Sequence, residues 1–425
     1  MKDNNHRIEL VNQPLSDDLI RNYVKYADIF ESPTEAHEAV MQTLIAAVVN
    51  PNVHIVNEGQ KLSLDFWTLL LSPSSLGRNT LVSLMRNLLR SAEIKGLVKT
   101  NTWGSVQGLY QDLAERPNAF FVWEEFSIFL KLLESARFAN AKEWLTDRYD
   151  NLEIPESIAY RKLGRSSDTP SIIFTDAPRI CTLATSSYEW FTGMLSESDA
   201  LGGFIPRWFI VDLPKSDKCI PSPKQPDPEY VDGLVGALKR AAELKGPADI
   251  SGVKAEYEEW YRAAKERFEN QEQYQLATIF FRRHRVHLLK LAAIYEISQT
   301  GNLVVSSSAL ERAISAARRA EDTICALLAS GCGKEGAAVE KLYQEILRAG
   351  EHGLPKSTLT RLFTNAPPFV REQRITTLVD SERVFKCSHK TQGRPAEVYV
   401  ADTHLERHQA LHHGEPEKPE LPKVA

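Results

Sequence analysis

Residues Leu64 to Arg90 read LDFWTLLLSPSSLGRNTLVSLMRNLLR, and the way this stretch divides decides the fold. The apolar run from Phe66 to Leu71 is long enough for a buried strand. It stops at Ser72-Pro73-Ser74-Ser75-Leu76-Gly77, and the text resumes with Leu81, Leu84, Met85, Leu88 and Leu89 on one side of a helix. A strand, a loop of small residues and a helix start form an anion site together, because the loop amides and the positive helix end point at one place. Nucleoside-phosphate loops of this build end in Gly-Lys-Ser/Thr, with the lysine on the β- and γ-phosphates and the hydroxyl on magnesium. This chain has Gly77-Arg78-Asn79-Thr80, and two registers are open. In one, Ser72 stands for the first glycine, Arg78 for the lysine and Asn79 for the hydroxyl residue. In the other, Pro73 stands for the glycine, Asn79 for the lysine, and Thr80 keeps the hydroxyl. Neither holds a lysine. Ser74, Ser75, Gly77, Arg78, Asn79 and Thr80 are the candidate nucleotide-binding residues.

The text downstream supplies partners for such a loop. Ala119 to Trp123 is an apolar run closed by Glu124-Glu125. In that layout the first acid holds magnesium through water and the second polarises the attacking water. Glu124, with Thr80, is therefore the candidate metal-binding residue, and Glu124 and Glu125 are the candidate catalytic acids. Ile172 to Phe174 and Ile180 to Leu183 are expected as strands separated by the turn Asp176-Ala177-Pro178. The second ends in Ala184-Thr185-Ser186-Ser187, where Thr185 is placed to sense a γ-phosphate. Trp208 to Leu213 is a further strand. Arg207, just before it, is a candidate arginine finger acting across a subunit interface, the way ring-forming NTPases complete their sites.

Strands and helices alternate from Val53 to Pro214, the pattern of a sheet covered by helices on both faces. Around this core the chain divides into a helical preface (1–52), the α/β core (53–214), a proline-rich linker (215–229), a helical, lid-like region (230–333), a small domain (334–402) and a disordered tail (403–425). The basic run Phe280 to Ala293 on an otherwise buried helix faces either a phosphate or acids such as Glu256, Glu258 and Glu259. His404, His408, His412 and His413 are expected in a solvated terminus.

The segment 334–402 predicts three helices, Val339 to Leu347, Pro355 to Phe363 and Pro368 to Ser381. Two short strands follow, joined by a basic Gly393-Arg394-Pro395 tip, which is the order of a winged helix. Ile375, Leu378 and Val379 face inward on the third helix, leaving Gln373, Arg374 and Thr377 outside to meet bases and phosphates. Lys390 and Arg394 on the wing are candidate contacts to phosphate or the minor groove. A protein-docking role is the alternative for this domain.

Composition sets the outer bounds. The chain has 425 residues, 43% hydrophobic and 25% charged, with a net charge of −5, so any nucleic-acid surface is local. Five scattered cysteines form no C-x₂-C pair, which points to reduced thiols. No signal peptide and no membrane-spanning run is expected, and the localisation expected is cytoplasmic.

From Leu19 to Ile294 the chain resembles the uncharacterised P-loop NTPases of phages, plasmids and genomic islands, which are often fused to or encoded near primases and labelled helicase-like. The resemblance rests on the helical preface with Thr34-Glu35-Ala36, the strand running into Ser72-Pro73-Ser74-Ser75, and Trp123-Glu124-Glu125-Phe126-Ser127. It also rests on the Ala184-Thr185 strand end and Gly203-Phe204-Ile205-Pro206-Arg207-Trp208-Phe209. It implies the second register, with the family's lysine at Asn79 and its hydroxyl at Thr80. The expected fold is α/β: a RecA-like P-loop NTPase core with helical N-terminal and lid regions and a C-terminal winged helix. The expected ligands are ATP and Mg²⁺. The expected partners are DNA, copies of the chain in a ring, and replication or mobile-element proteins, with Arg207 or Arg179 supplied in trans. Two activities follow as expectations, ATP-driven DNA translocation or unwinding, and a hydrolysis-deficient DNA-binding or assembly scaffold.

Overall fold

The strand expected at Phe66 to Leu71 is present as Trp67–Leu71, buried along its whole length, and the rest of the first part of the chain is arranged about it. The structure, a computed structural model, describes residues 18–57, 59–72, 77–99, 103–158, 172–194, 202–214, 216, 218–224, 226–271, 274–329, 334–363, 368–380, 382–389 and 396–412. The chain divides into two compact units, 1–329 and 330–425.

In chain order the first unit holds helices α1 (Leu19–Ala27) and α2 (Thr34–Val49), strands β1 (Val53–Asn57), β2 (Gln60–Ser63) and β3 (Trp67–Leu71), and helix α3 (Arg78–Ser91). Strand β4 (Val98–Lys99), helix α4 (Val106–Glu115), strand β5 (Asn118–Trp123), helices α5 (Phe126–Glu134) and α6 (Ala141–Arg148), strand β6 (Arg179–Ser186), helix α7 (Tyr188–Met194) and strand β7 (Trp208–Asp212) follow. It closes with helix α8 (Pro228–Ala242), strand β8 (Gly246–Asp249) and helices α9 (Lys254–Glu269), α10 (Tyr274–Thr300) and α11 (Ser307–Ala329).

The central sheet has the order β4-β5-β6-β3-β7, and every pairing in it is parallel. Parallel sheets are buried on both faces, which is why β3 and β5 read as predominantly apolar runs. Helix α2 packs across β3, β5 and β6, with the Thr43 and Thr68 hydroxyls 2.6 Å apart at the contact. Thirteen of its sixteen residues are buried, as its place against the sheet requires.

Because all five strands run the same way, their carboxyl ends share one edge. From β3 the chain leaves through α3 toward β4, past β6 and β5. From β6 it leaves toward β7, on the other side of β3. Neighbouring strands whose connections depart in opposite directions form a switch point, and a crevice opens outside their carboxyl ends.

Three expectations are corrected. Strands β1 and β2 do not join the central sheet: β1 pairs antiparallel with β2 and parallel with β8, so a second, three-stranded sheet interrupts the region read as wholly helical. Ile172 to Phe174 is not a strand. It makes one isolated bridge, Ile158 to Ile172, and Ile173 is 67% exposed, so no neighbouring strand covers it. Among the described residues the basic run on α10 forms no ion pair with Glu256, Glu258 or Glu259. Instead His284 lies 3.3 Å from Glu321, Arg283 lies 3.8 Å from Asp150, and the fully buried Lys290 pairs with Asp150 and donates to the main-chain oxygen of Asp65. The Lys290 ammonium also sits 4.0 Å from the centre of the Tyr149 ring. Burial of an ammonium needs this much compensation.

The second unit holds helix α12 (Lys334–Arg348), strand β9 (Leu354–Pro355), helices α13 (Lys356–Leu362) and α14 (Pro368–Asp380), strands β10 (Val384–His389) and β11 (Ala396–Ala401), and helix α15 (Leu405–His412). Its sheet has the order β10-β11-β9, all antiparallel. Leu342, Ile346, Leu359, Ile375, Leu378 and Tyr399 form the core between helices and sheet. Gly353, at φ +67°, lies so close to β11 that a Cβ would stand 2.5 Å from Val398 Cγ1. The tail expected to be disordered from 403 carries α15, and His408 on it is buried with Nδ1 2.6 Å from the Glu351 carbonyl. Residues 413–425, including His413, lie outside the described residues.

Candidate functional site at the carboxyl edge of the central sheet

Two hydrogen bonds stitch three strand ends together at the switch point. The Ser72 amide donates to the Ser186 carbonyl at 3.0 Å, joining the ends of β3 and β6. The Thr185 hydroxyl donates to the Glu124 carbonyl at 2.6 Å, joining β6 to the end of β5. Gly77 then starts α3 from a left-handed conformation, φ +67° and ψ +33°. A Cβ there would stand 3.3 Å from the Ser32 hydroxyl, so both backbone conformation and space favour glycine. The N-terminus of α3 has no side-chain cap and no acid in its first turn. Among the described residues no side chain caps its amides or offsets the positive end of its dipole, which is the condition for receiving an anion.

Of the predicted loop residues, Ser74 and Ser75 lie outside the described residues, as does the side chain of Arg78. Asn79 is exposed, and Thr80 is half-buried one turn into α3, beside Gly77. Thr80, Glu124, Glu125 and Thr185 are all brought to this one edge of the sheet.

The two acids differ in their engagements. The exposed Glu124 faces Arg86, whose Nη1 lies 3.7 Å from Oε1. Both side chains are substantially solvated, so the pair contributes at most ~1 kcal/mol, and its effect is to orient the carboxylate. Glu125 caps α5: its Oε1 accepts from the Ser127 amide at 3.4 Å and from the Ser186 hydroxyl at 3.3 Å. The carboxylate expected as the base thus also terminates a helix and joins the switch-point network.

Two residues at this edge were not foreseen. Arg86 lies seven positions after Asn79, two turns along the same helix face, a signal visible in the spacing. Asp212, paired in register with Leu71 at the end of β7, has its carboxyl pushed up from the ordinary range by burial. Only the sheet order brings it here.

Arg207, expected as a finger acting across a subunit interface, stands away from the loop of its own chain. It precedes β7 and so stands at the amino edge of the sheet, while the loop and Glu124 stand at the carboxyl edge. The five-residue strand between them spans roughly 17 Å. The guanidinium turns inward, donating to the Gly203 carbonyl at 2.6 Å and lying over the Tyr149 ring. Burial, with the nearby Arg283 charge, lowers its pKa to about 10. Arg207 therefore braces the turn before β7 and does not reach the loop of its own chain. Arg179, at the start of β6, stands at the same amino edge and donates to the Asn151 carbonyl.

A hydroxyl at Thr80 and a carboxylate at Glu124 are the donor types magnesium takes alongside water and phosphate oxygens. Among the described residues, no group of three or more His, Cys, Asp or Glu side chains is placed to hold a metal ion.

In the second unit, α14 has Ile375 and Leu378 buried and Val379 packed against the core, as the spacing predicts, with Arg374 half-buried on the same helix. Gln373 and Thr377 are α14 residues whose side chains lie outside what is described. Lys390 and Arg394 lie outside the described residues altogether. No described helix is long and apolar enough to cross a membrane.

No protein-family model matches this chain, and no curated protein sequence matches it.

Proposed function

We propose that the chain is a DNA-associated protein of mobile elements with a P-loop NTPase core, RecA-like in plan. In this reading the core binds ATP with Mg²⁺ but hydrolyses it poorly, and the second unit is a winged helix that contacts DNA. The observation that carries the reading is the stitched edge. A helix start after a left-handed glycine, the Thr185 hydroxyl and the Glu124 end of β5 converge at the switch point of the sheet. Poor hydrolysis follows from chemistry at that edge. The position of the lysine is an exposed asparagine, and electrostatic stabilisation of the transferring phosphoryl group is the largest catalytic contribution in such sites. Arg78 is no conservative replacement, because its planar fork is longer than an ammonium.

Helicase or translocase activity in a homo-oligomeric ring is the second reading, favoured by the two acids at the end of β5. It requires Glu125 to leave its cap or to serve both tasks. Equilibrium binding of Mg-ATP and of duplex DNA separates these readings from a plain adaptor. The proposal expects saturable ATP binding lost in Thr80→Ala, and salt-sensitive DNA binding weakened in Arg374→Ala. Absence of both from the native chain overturns it.

A further inference from the structure

A second cleft, of about 580 Å³, shares no lining residue with the carboxyl edge of the central sheet and opens between the turn that joins β1 to β2 and α9. Lys254, Tyr257, Glu258 and Tyr261 recur at helical spacing along α9. Trp260, Ala264 and Phe268 are buried along α9, and the half-buried Tyr257 and Tyr261 lie on the same side of the helix, where they also line the cleft. Their rings lie 6.3 Å apart, and Tyr261 is steadied by Phe281 at 5.1 Å. Arg285, from α10, completes the wall.

The cleft is lined by two acids, Asp249 and Glu258, and two cations, Lys254 and Arg285, whose engagements differ. Asp249 is engaged by the Ser251 amide at 2.9 Å. Glu258 is shared by Arg262 at 3.1 Å and Lys254 at 4.0 Å. The exposed Arg285 has no carboxylate partner among the described residues; its Nε donates to the Arg282 carbonyl. A cation without a counter-charge beside two tyrosine faces, in a chain of net charge −5, is local complementarity for a flat ring carrying an anion.

We propose that this cleft binds a nucleotide unit, its base stacked on Tyr257 and Tyr261 and its phosphate held by Arg285 and Lys254. The unit comes from a single strand of nucleic acid or from a free nucleotide. The site shares no residue with the α3 edge or with α14, and it stands whether or not the chain binds ATP at the loop.

The test is photocross-linking of the full chain to a short oligothymidylate carrying 4-thiothymidine, with peptide mapping and with thymidine monophosphate as competitor. Cross-links are expected in the segment 254–261. Their yield is expected to fall about tenfold in Tyr257→Ala with Tyr261→Ala and in Arg285→Gln, and to stay within about twofold in the two Tyr→Phe variants, which keep the ring faces. Competition by the monophosphate assigns a free nucleotide, and its failure assigns the strand; either outcome supports the site. Arg285→Gln alters an exposed side chain and remains decisive if the double alanine variant does not fold. Absence of cross-links, cross-links confined to other segments, or yields unchanged in Arg285→Gln overturn the proposal.

Discussion

The Thr185 hydroxyl donates to the Glu124 carbonyl at 2.6 Å, so the end of β6 fixes the backbone from which the first acid projects. Thr185→Val removes a buried donor and leaves that carbonyl unsatisfied. The loss expected is about 1–2 kcal/mol in urea unfolding of the first unit, with Thr185→Ser close to the native value because the hydroxyl remains. Equal stability of the valine variant contradicts a structural role for this bond.

Lys290 is wholly buried, paired with Asp150 and bonded to Asp65. Lys290→Met leaves Asp150 without its ammonium, and about 3–5 kcal/mol of destabilisation is expected. Lys290→Met combined with Asp150→Asn should recover most of it, because no unpaired charge is then left inside. A double-mutant cycle by chemical denaturation checks the coupling, and additive losses would count against it.

These two residues also show how far the text of the chain carries. The β3 strand, the α3 helix, the Glu124 end of β5 and the Thr185 end of β6 are legible because buried parallel strands are predominantly apolar runs and α3 has one apolar face. The partners of the α10 basic run are not legible. Asp150 lies 140 positions from Lys290, and only the folded chain joins them. The edge at which Arg207 stands is not legible for a related reason: a residue before a strand and one after it look alike in sequence but occupy opposite edges of a parallel sheet. Strands β1 and β8 escape notice because each is short and half-solvated, pairing across nearly two hundred residues. In the second unit, the helix-helix-helix-hairpin order is visible throughout, since its core positions recur at regular spacing.

His37 is buried, and neither ring nitrogen has a hydrogen-bond partner among the described residues. Burial, assisted by the Lys218 charge, lowers its pKa from the ordinary 6.5 to about 3. The unfolded chain therefore takes up a proton below pH 6.5 that the folded chain refuses until about 3. The stabilisation is complete above 6.5 and declines as pH falls through that window, by about 2 kcal/mol at pH 5. Buried His287, whose pKa is lowered chiefly by burial and also by neighbouring positive charges, acts in the same direction. Urea midpoints at pH 7 and pH 5 measure the decline, which His37→Gln should make shallower.

Gly353 combines φ +67° with ψ +169°, a conformation reserved for glycine, and its Cα faces Val398 and Val400. Gly353→Ala should destabilise the second unit by roughly 2–5 kcal/mol through backbone strain and overpacking. Amide exchange should accelerate across 334–401 and leave the first unit unchanged. Uniform acceleration over both units would refute the assignment of the effect.

The central claim is that the edge at Ser72 to Thr80 is a nucleotide site lacking its lysine, and Asn79→Lys tests it most directly. Mg-ATP turnover is measured for the native chain, Asn79→Lys, and Asn79→Lys with Thr80→Ala. Restoring the ammonium should raise turnover at least tenfold, the scale of one electrostatic group in such a site, and Thr80→Ala should abolish the gain. Turnover as low in Asn79→Lys as in the native chain, with no ATP bound by either, would contradict the account.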